Sequence, residues 1–180
     1  MKNLFIFLII ITMTCISYGQ ETNLYNYDIE QKLSEMGIEL SKPELPKGIS
    51  IELSTQSGNL IYLSGNGPIS TNGDRITGKV GTDLSIEQGY KAARLTAISQ
   101  LSVLKAHIGD LNKVEKIVKV FGMVNADPSF TDHPKVINGF SDLLIEVFGE
   151  RGRHARSAVG MSSLPWNLAC EIEMIVQIKE

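Results

Sequence analysis

Arg156 stands in a short apolar run, Arg156-Ser157-Ala158-Val159-Gly160. It is followed by Leu164-Pro165 and then by Glu171-Ile172-Glu173. A guanidinium offers a planar fork of donors that matches a carboxylate bidentately. A glutamate orients or deprotonates a water. The segment from Cys170 to Ile178 alternates. Cys170, Ile172, Met174, Val176 and Ile178 fall on one side, and Glu171, Glu173, Ile175 and Gln177 on the other. That is the pattern of a half-buried strand. The reading places Arg156 and Glu171 on two adjacent strands, near one cleft. Flanked by Ala155, Ala158 and Val159, Arg156 is expected to be half-buried and to need a partner. His154 lies two residues from Arg156 and shares its strand face, but a solvated surface histidine is the favoured reading.

The elements that must hold these groups follow from pattern and punctuation. The chain has 180 residues, enough for one folded domain. Residues 1–20 carry Lys2, the apolar run Leu4–Ile11 and the small, polar stretch Ser17–Gln20. This reads as a signal peptide for export, periplasmic or secreted, with a lipid or signal anchor as the minor alternative. Its apolar core is shorter than the roughly 20 residues a bilayer span needs. Residues 21–48 form a polar lead-in in which Ile29–Leu40 reads as a short helix (Ile29, Leu33, Met36), stopped by Gly37 and by Pro43 and Pro46. The domain proper is assigned to 49–180.

Within it, Ile49–Ser54 and Leu60–Leu63 read as strands around a Gly58-Asn59 turn, and Arg75–Gly78 as a third, short one. Ser85 and Gln88 form a capping box for a helix over 85–108, ended by Gly109. Val114–Val124 is a β-branched strand. Pro134–Phe148 is a second long helix, ended by Gly149. The resulting order is β-β-β-α-β-α-β-β, an α+β fold: a mostly antiparallel sheet with two helices packed on one face. The other face needs cover, and Ile175 and Tyr62 make it partly apolar, so the chain is expected to self-associate.

Composition narrows the function. The formal net charge is −3, and loss of Lys2 with residues 1–20 takes it to −4. No basic surface is available for nucleic acid. The chain beyond residue 20 keeps one cysteine, Cys170, so no internal disulfide forms. A lone Cys in an apolar strand reads as a buried hydrophobe. His107, His133 and His154 lack metal-ligand spacing. Gly65-Asn66-Gly67 is not followed by a phosphate-binding helix pattern. No cofactor or metal is called for.

Several short segments together resemble the Rid family, also called YjgF/YER057c/UK114 or endoribonuclease L-PSP. They are Leu63–Pro68, Gly78-Lys79-Val80, Gly109-Asp110-Leu111, Val136-Ile137-Asn138, Ala155-Arg156-Ser157, Leu164-Pro165 and Glu171-Ile172-Glu173. The resemblance covers about residues 45–180, on the side of a less characterised branch.

It implies a chorismate-mutase-like fold and a homotrimer. Three sheets would form a central barrel with a cleft between each pair of neighbouring subunits. It also implies hydrolysis of small enamines or imines bearing a carboxylate, releasing ammonia. Arg156 would hold the carboxylate and Glu171 the water, with Ser64, Gly65 and Asn138 lining the substrate site. Two positions depart from the archetypal pattern: Ile51 stands where a cleft Tyr is expected, and Ala158 where a Cys is. They support the alternative of a non-catalytic trimer that binds a small carboxylate or another metabolite. A ribonuclease is the weakest reading, given the acidic balance.

Overall fold

The computed structural model of the protein describes residues 24–45, 48 and 50–179. The signal-peptide reading of residues 1–20 lies outside them. Three α-helices and five strands follow one another as α1 (Ile29–Glu35), β1 (Ser54–Ser57), β2 (Leu60–Asn66), α2 (Ile86–Ile108), β3 (Val114–Asn125), α3 (His133–Phe148), β4 (Ala155–Met161) and β5 (Cys170–Ile178). The sheet order is β1-β2-β5-β3-β4. Every pair is antiparallel except β3 with β4, which are parallel and joined through α3. A parallel pair needs such a long crossover, which carries the chain over one sheet face.

Local signals explain the long helices. The Ser85 side chain accepts from the Gln88 backbone while the Gln88 side chain returns to Ser85, and Gly109 ends α2 at φ 77°. Pro134 occupies the first turn of α3, where its missing N–H costs nothing. The two helices press Leu101, Leu104, Ile137, Phe140 and Leu144 onto Ile61, Val120, Ile172 and Val176, all fully buried. Their close approach depends on Gly139. A Cβ there would overlap the Tyr90 carbonyl oxygen of α2.

Two expected strands come out differently. The first lies at Ser54–Ser57 rather than at Ile49–Ser54, tight against the Gly58-Asn59 turn. A two-residue turn fixes the register of the residues beside it, and the alternation further upstream is not used. Arg75–Gly78 is not a strand. It is held by isolated bridges, Ile69 to Arg75 and Thr77 to Leu168.

The lead-in helix α1 also joins the core. Ile29 and Leu33 are buried. Tyr25 donates to the Val114 carbonyl at 2.5 Å, and Tyr27 to the Val147 carbonyl at 3.0 Å. Lys105 on α2 pairs with Glu30 on α1. Met36 caps this helix, and Gly37 at φ 68° turns the chain away.

The helix-covered sheet face is largely apolar, with Ser54, Gln56 and Arg156 on its edge strands, whereas the opposite face is mixed. Tyr62, Ile175, Phe121, Ser157, Glu173 and Lys119 share it, because each stands opposite another of the set in the strand register. Tyr62 and Glu173 are exposed.

Gly139→Ala is expected to separate α2 from α3. It should destabilise the fold by about 1–3 kcal/mol, the usual range for overpacking, measured as a fall in the urea midpoint at unchanged slope.

Candidate functional site

Glu171 is placed by a bulge in β2. The β2–β5 register runs Leu63 opposite Met174, then slips so that Asn66 stands opposite Ile172. The slip frees the carbonyls of Ser64 and Ile172 from the ladder. Gln100, fully buried on α2, takes both: its side-chain amide nitrogen donates to Ser64 O at 2.9 Å and to Ile172 O at 2.5 Å. The bulge brings Gly65 onto the Glu171 carboxylate so closely that a Cβ would overlap Oε1. Only glycine lets backbone and carboxylate meet at this distance.

The two residues border a cavity of about 970 Å³. Its walls include Ile51, Leu53, Leu168 and Trp166. Burial raises the Glu171 carboxyl above the ordinary glutamate value, and Glu173 adds to the shift.

Ser64 itself turns away. Its hydroxyl donates to the Glu52 carbonyl at 2.7 Å, and its backbone N–H donates to Leu53 at 3.0 Å. Gly65, Asn66 and Gly67 line the cavity in its stead.

Arg156 lies elsewhere. β3 separates its strand from that of Glu171. Arg156 stands opposite Val120, which stands opposite Met174, so it faces the helices. Glu171 stands opposite Met123 and, beyond it, Val159, so it faces the other way. The expectation of adjacent strands sharing a cleft is therefore corrected. The β3–α3–β4 crossover inserts β3 between them, and the alternation of each strand fixes opposite faces.

The guanidinium of Arg156 rests on α3, with Nη1 donating to Ser141 Oγ at 2.9 Å and Nη2 to the Pro134 carbonyl at 3.4 Å. Asn138 is exposed on the same helix, between those two contacts. Burial lowers the Arg156 value, opposed by the Asp142 charge.

Behind Arg156 stands a relay that the sequence did not reveal. His154 Nδ1 is 2.7 Å from the Gly152 carbonyl, so Nδ1 carries the proton. Its Nε2, 3.0 Å from Ser141 Oγ, accepts from the hydroxyl. The hydroxyl's lone pairs then face Arg156. His154 is thus a half-buried positioning group, not the solvated residue expected. Burial lowers its pKa, the Gly152 bond opposes that, and the Arg156 charge adds to it. Ser141 and Gln100 carry no motif, although a glutamine between Ala97 and Leu101 in an apolar helix stripe was a visible anomaly.

Cys170 is fully buried, and its thiol is pushed up to about 12 by burial, with Thr96 as its hydrogen-bond neighbour. It is a core residue, as expected. No cluster of three or more His, Cys, Asp or Glu able to hold a metal occurs among the described residues.

Comparison with known proteins agrees with this architecture. The family described as "YjgF/chorismate mutase-like, putative endoribonuclease" matches residues 30–178. The chain belongs to this YjgF/Rid family. Protein TCP17 of Trypanosoma cruzi is 38% identical over 151 residues, 83% of this chain and 94% of that protein. The crystal structure of Atu1372 from Agrobacterium tumefaciens, a protein of unknown function, superposes with a TM-score of 0.76 at 42% identity. That match covers 83% of this chain and 91% of the other. An endoribonuclease-named structure from Shewanella oneidensis gives 0.80 at 30% identity, covering 84% and 100%. The YjgF/Rid assignment thus rests on sequence and on fold together. No helix among the described residues is long and apolar enough to cross a membrane.

The raised Glu171 value carries a stability consequence. A carboxyl whose folded value exceeds its unfolded one binds more protons when folded, so it penalises the fold as pH rises through and above about 4.5. Glu171→Gln should therefore raise Tm at pH 7 by roughly 1–3 °C, the side chain being half exposed and its charge screened. The gain should vanish near pH 4, as read by calorimetry at the two pH values.

Proposed function

We propose that this YjgF/Rid protein is a homotrimeric hydrolase of small imines or enamines that carry a carboxylate. The observation that carries the reading is the division of the site. Glu171 and Gly65 border one cavity, while Arg156, Asn138 and the Ser141–His154 relay form a separate patch on the edge strand. Neither half holds both an anion anchor of the family kind and a water-activating carboxylate. A neighbouring copy supplies the missing half to each, and the mixed sheet face bearing Tyr62, Phe121 and Ile175 gives the copies a surface to share.

The chemistry then balances simply. Arg156 of one copy holds the substrate carboxylate. Glu171 of the next takes a proton from a water, which adds to the C=N carbon, and then delivers that proton to the nitrogen. The carbinolamine returns its hydroxyl proton through Glu171 to the amine, and ammonia leaves with a 2-oxo acid remaining. An enamine enters after protonation at carbon. A carboxyl raised by burial suits a group that must take and return the same proton. The leader-like residues 1–20 support an exported site of action.

Ile51, 49% exposed on the cavity wall, favours a second reading in which the trimer binds a small carboxylate without turnover. An imino acid generated in situ, with ammonia followed, separates the two. Turnover is expected in the wild type. Glu171→Gln and Arg156→Ala should each fall at least about 100-fold, the scale of a lost acid–base or anchoring group. Turnover equal to buffer leaves the binding reading.

Gly65→Ala should fold with a near-normal Tm, because the overlapping atom is the end of a flexible side chain, yet lose turnover as the carboxylate is displaced. Analytical ultracentrifugation should give three times the chain mass; a monomer at micromolar concentration would overturn the shared-site arrangement.

A further inference from the structure

Two cavity residues have no role in the site as described, Arg75 and Trp166. Trp166 (φ 53°) and Asn167 (φ 56°) are consecutive non-glycine residues in the left-handed region, which costs energy and persists only where surroundings enforce it. The enforcement is visible. The Gly78 backbone N–H donates to Asn167 O at 2.8 Å, and buried Asn125 donates to Asn167 Oδ1 at 2.9 Å. Lys79 in turn donates to Asn125 Oδ1 at 3.0 Å. The result is an indole left 52% exposed at the cavity wall.

The Arg75 guanidinium lies 5.1 Å from the centre of that ring. It has no carboxylate partner among the described residues. Adjacent Asp74 accepts from Asn72 instead. Lys42 and Glu44, on the lead-in wall, carry opposite charges. Arg75 is thus a cation set over the indole, with no counter-ion among the described residues, at the rim of a cavity that contains Glu171. Stacking leaves the donor fork of an arginine free for an anion.

We propose that Arg75 and Trp166 form a second anion subsite in the Glu171 cavity, selecting substrates with a second carboxylate at the end of the side chain. The reacting end lies at Glu171 and at Arg156 of the neighbouring copy. The methylenes lie along Ile51, Leu53 and the indole, and the distal carboxylate pairs with Arg75. The substrate class is the imine of a 2-oxo dicarboxylic acid. This inference rests on the proposed function for the reacting end, but binding alone tests it.

Trp166 is the protein's single tryptophan, so its fluorescence reports on the cavity directly. The wild-type protein is titrated with 2-oxoglutarate and with 2-oxopentanoate, which differ by the distal carboxylate. The diacid should bind at least tenfold more tightly. Arg75→Gln should abolish that preference and leave monoacid affinity within about twofold, with an unchanged Tm excluding misfolding. Arg156→Ala should weaken both acids alike. Equal affinity for the two acids, a preference that survives Arg75→Gln, or no binding of either would overturn the subsite. Preference without ammonia release from the matching imine would leave it standing and remove the deaminase reading. Ammonia release without preference would do the reverse.

Discussion

One buried amide holds the cleft open in its working shape. Gln100 reaches from α2 to two carbonyls that the β2 bulge has released from the ladder. A bulge leaves backbone groups unpaired, and an unpaired buried carbonyl costs about 1–3 kcal/mol. The bulge is therefore stable only with a donor from outside the sheet. Without it, Gly65 would return to register and Glu171 would stand over a closed ladder rather than at the wall of a cavity. The amide nitrogen meets both demands, and the side-chain oxygen of Gln100 is left without a partner. The orientation is fixed nonetheless, since a flipped amide would set oxygen against oxygen at both contacts.

Strand parity is the second constraint. A residue in a strand cannot choose its face independently of its neighbours. Arg156 shares a row with Val120 and Met174, both core residues, and is drawn to the helix side. Glu171 is one step out of phase with the core positions of β5 and is drawn to the other side. A single chain therefore separates the two groups as a condition of burying its own core, and any chemistry requiring both groups together has to be assembled from two copies. In the proposed trimer, backbone geometry is what would couple self-association to function.

Much of this was legible beforehand. The helices were marked by Ser85/Gln88, Pro134 and the glycines that follow each. The β5 alternation gave its buried face residue by residue, and the family segments gave the fold. The failures share a cause. Strand adjacency and sheet order are non-local, so nothing near Arg156 or Glu171 in the sequence shows that β3 comes between them. The strand expected at Arg75–Gly78 became a bridged loop because the Trp166–Leu168 turn provides its partner from almost a hundred residues away. Ser141, Gln100 and the Arg75–Trp166 contact are likewise products of packing. His154 was read as solvated because burial by α3 has no signature within β4 itself.

The two tyrosines ahead of α1 bear on how the molecule comes into being. Tyr25 and Tyr27 reach carbonyls 89 and 120 positions further along the chain. Contacts of such separation form late, because closing the intervening loop has to be compensated by structure already in place. A polypeptide emerges from its N-terminus, so the first part of the described chain to be made must wait, unanchored, until Val147 exists. During that interval α1 cannot bury Ile29 and Leu33 in their final site. The lead-in is then both the earliest-made part of the described chain and one of the last to settle.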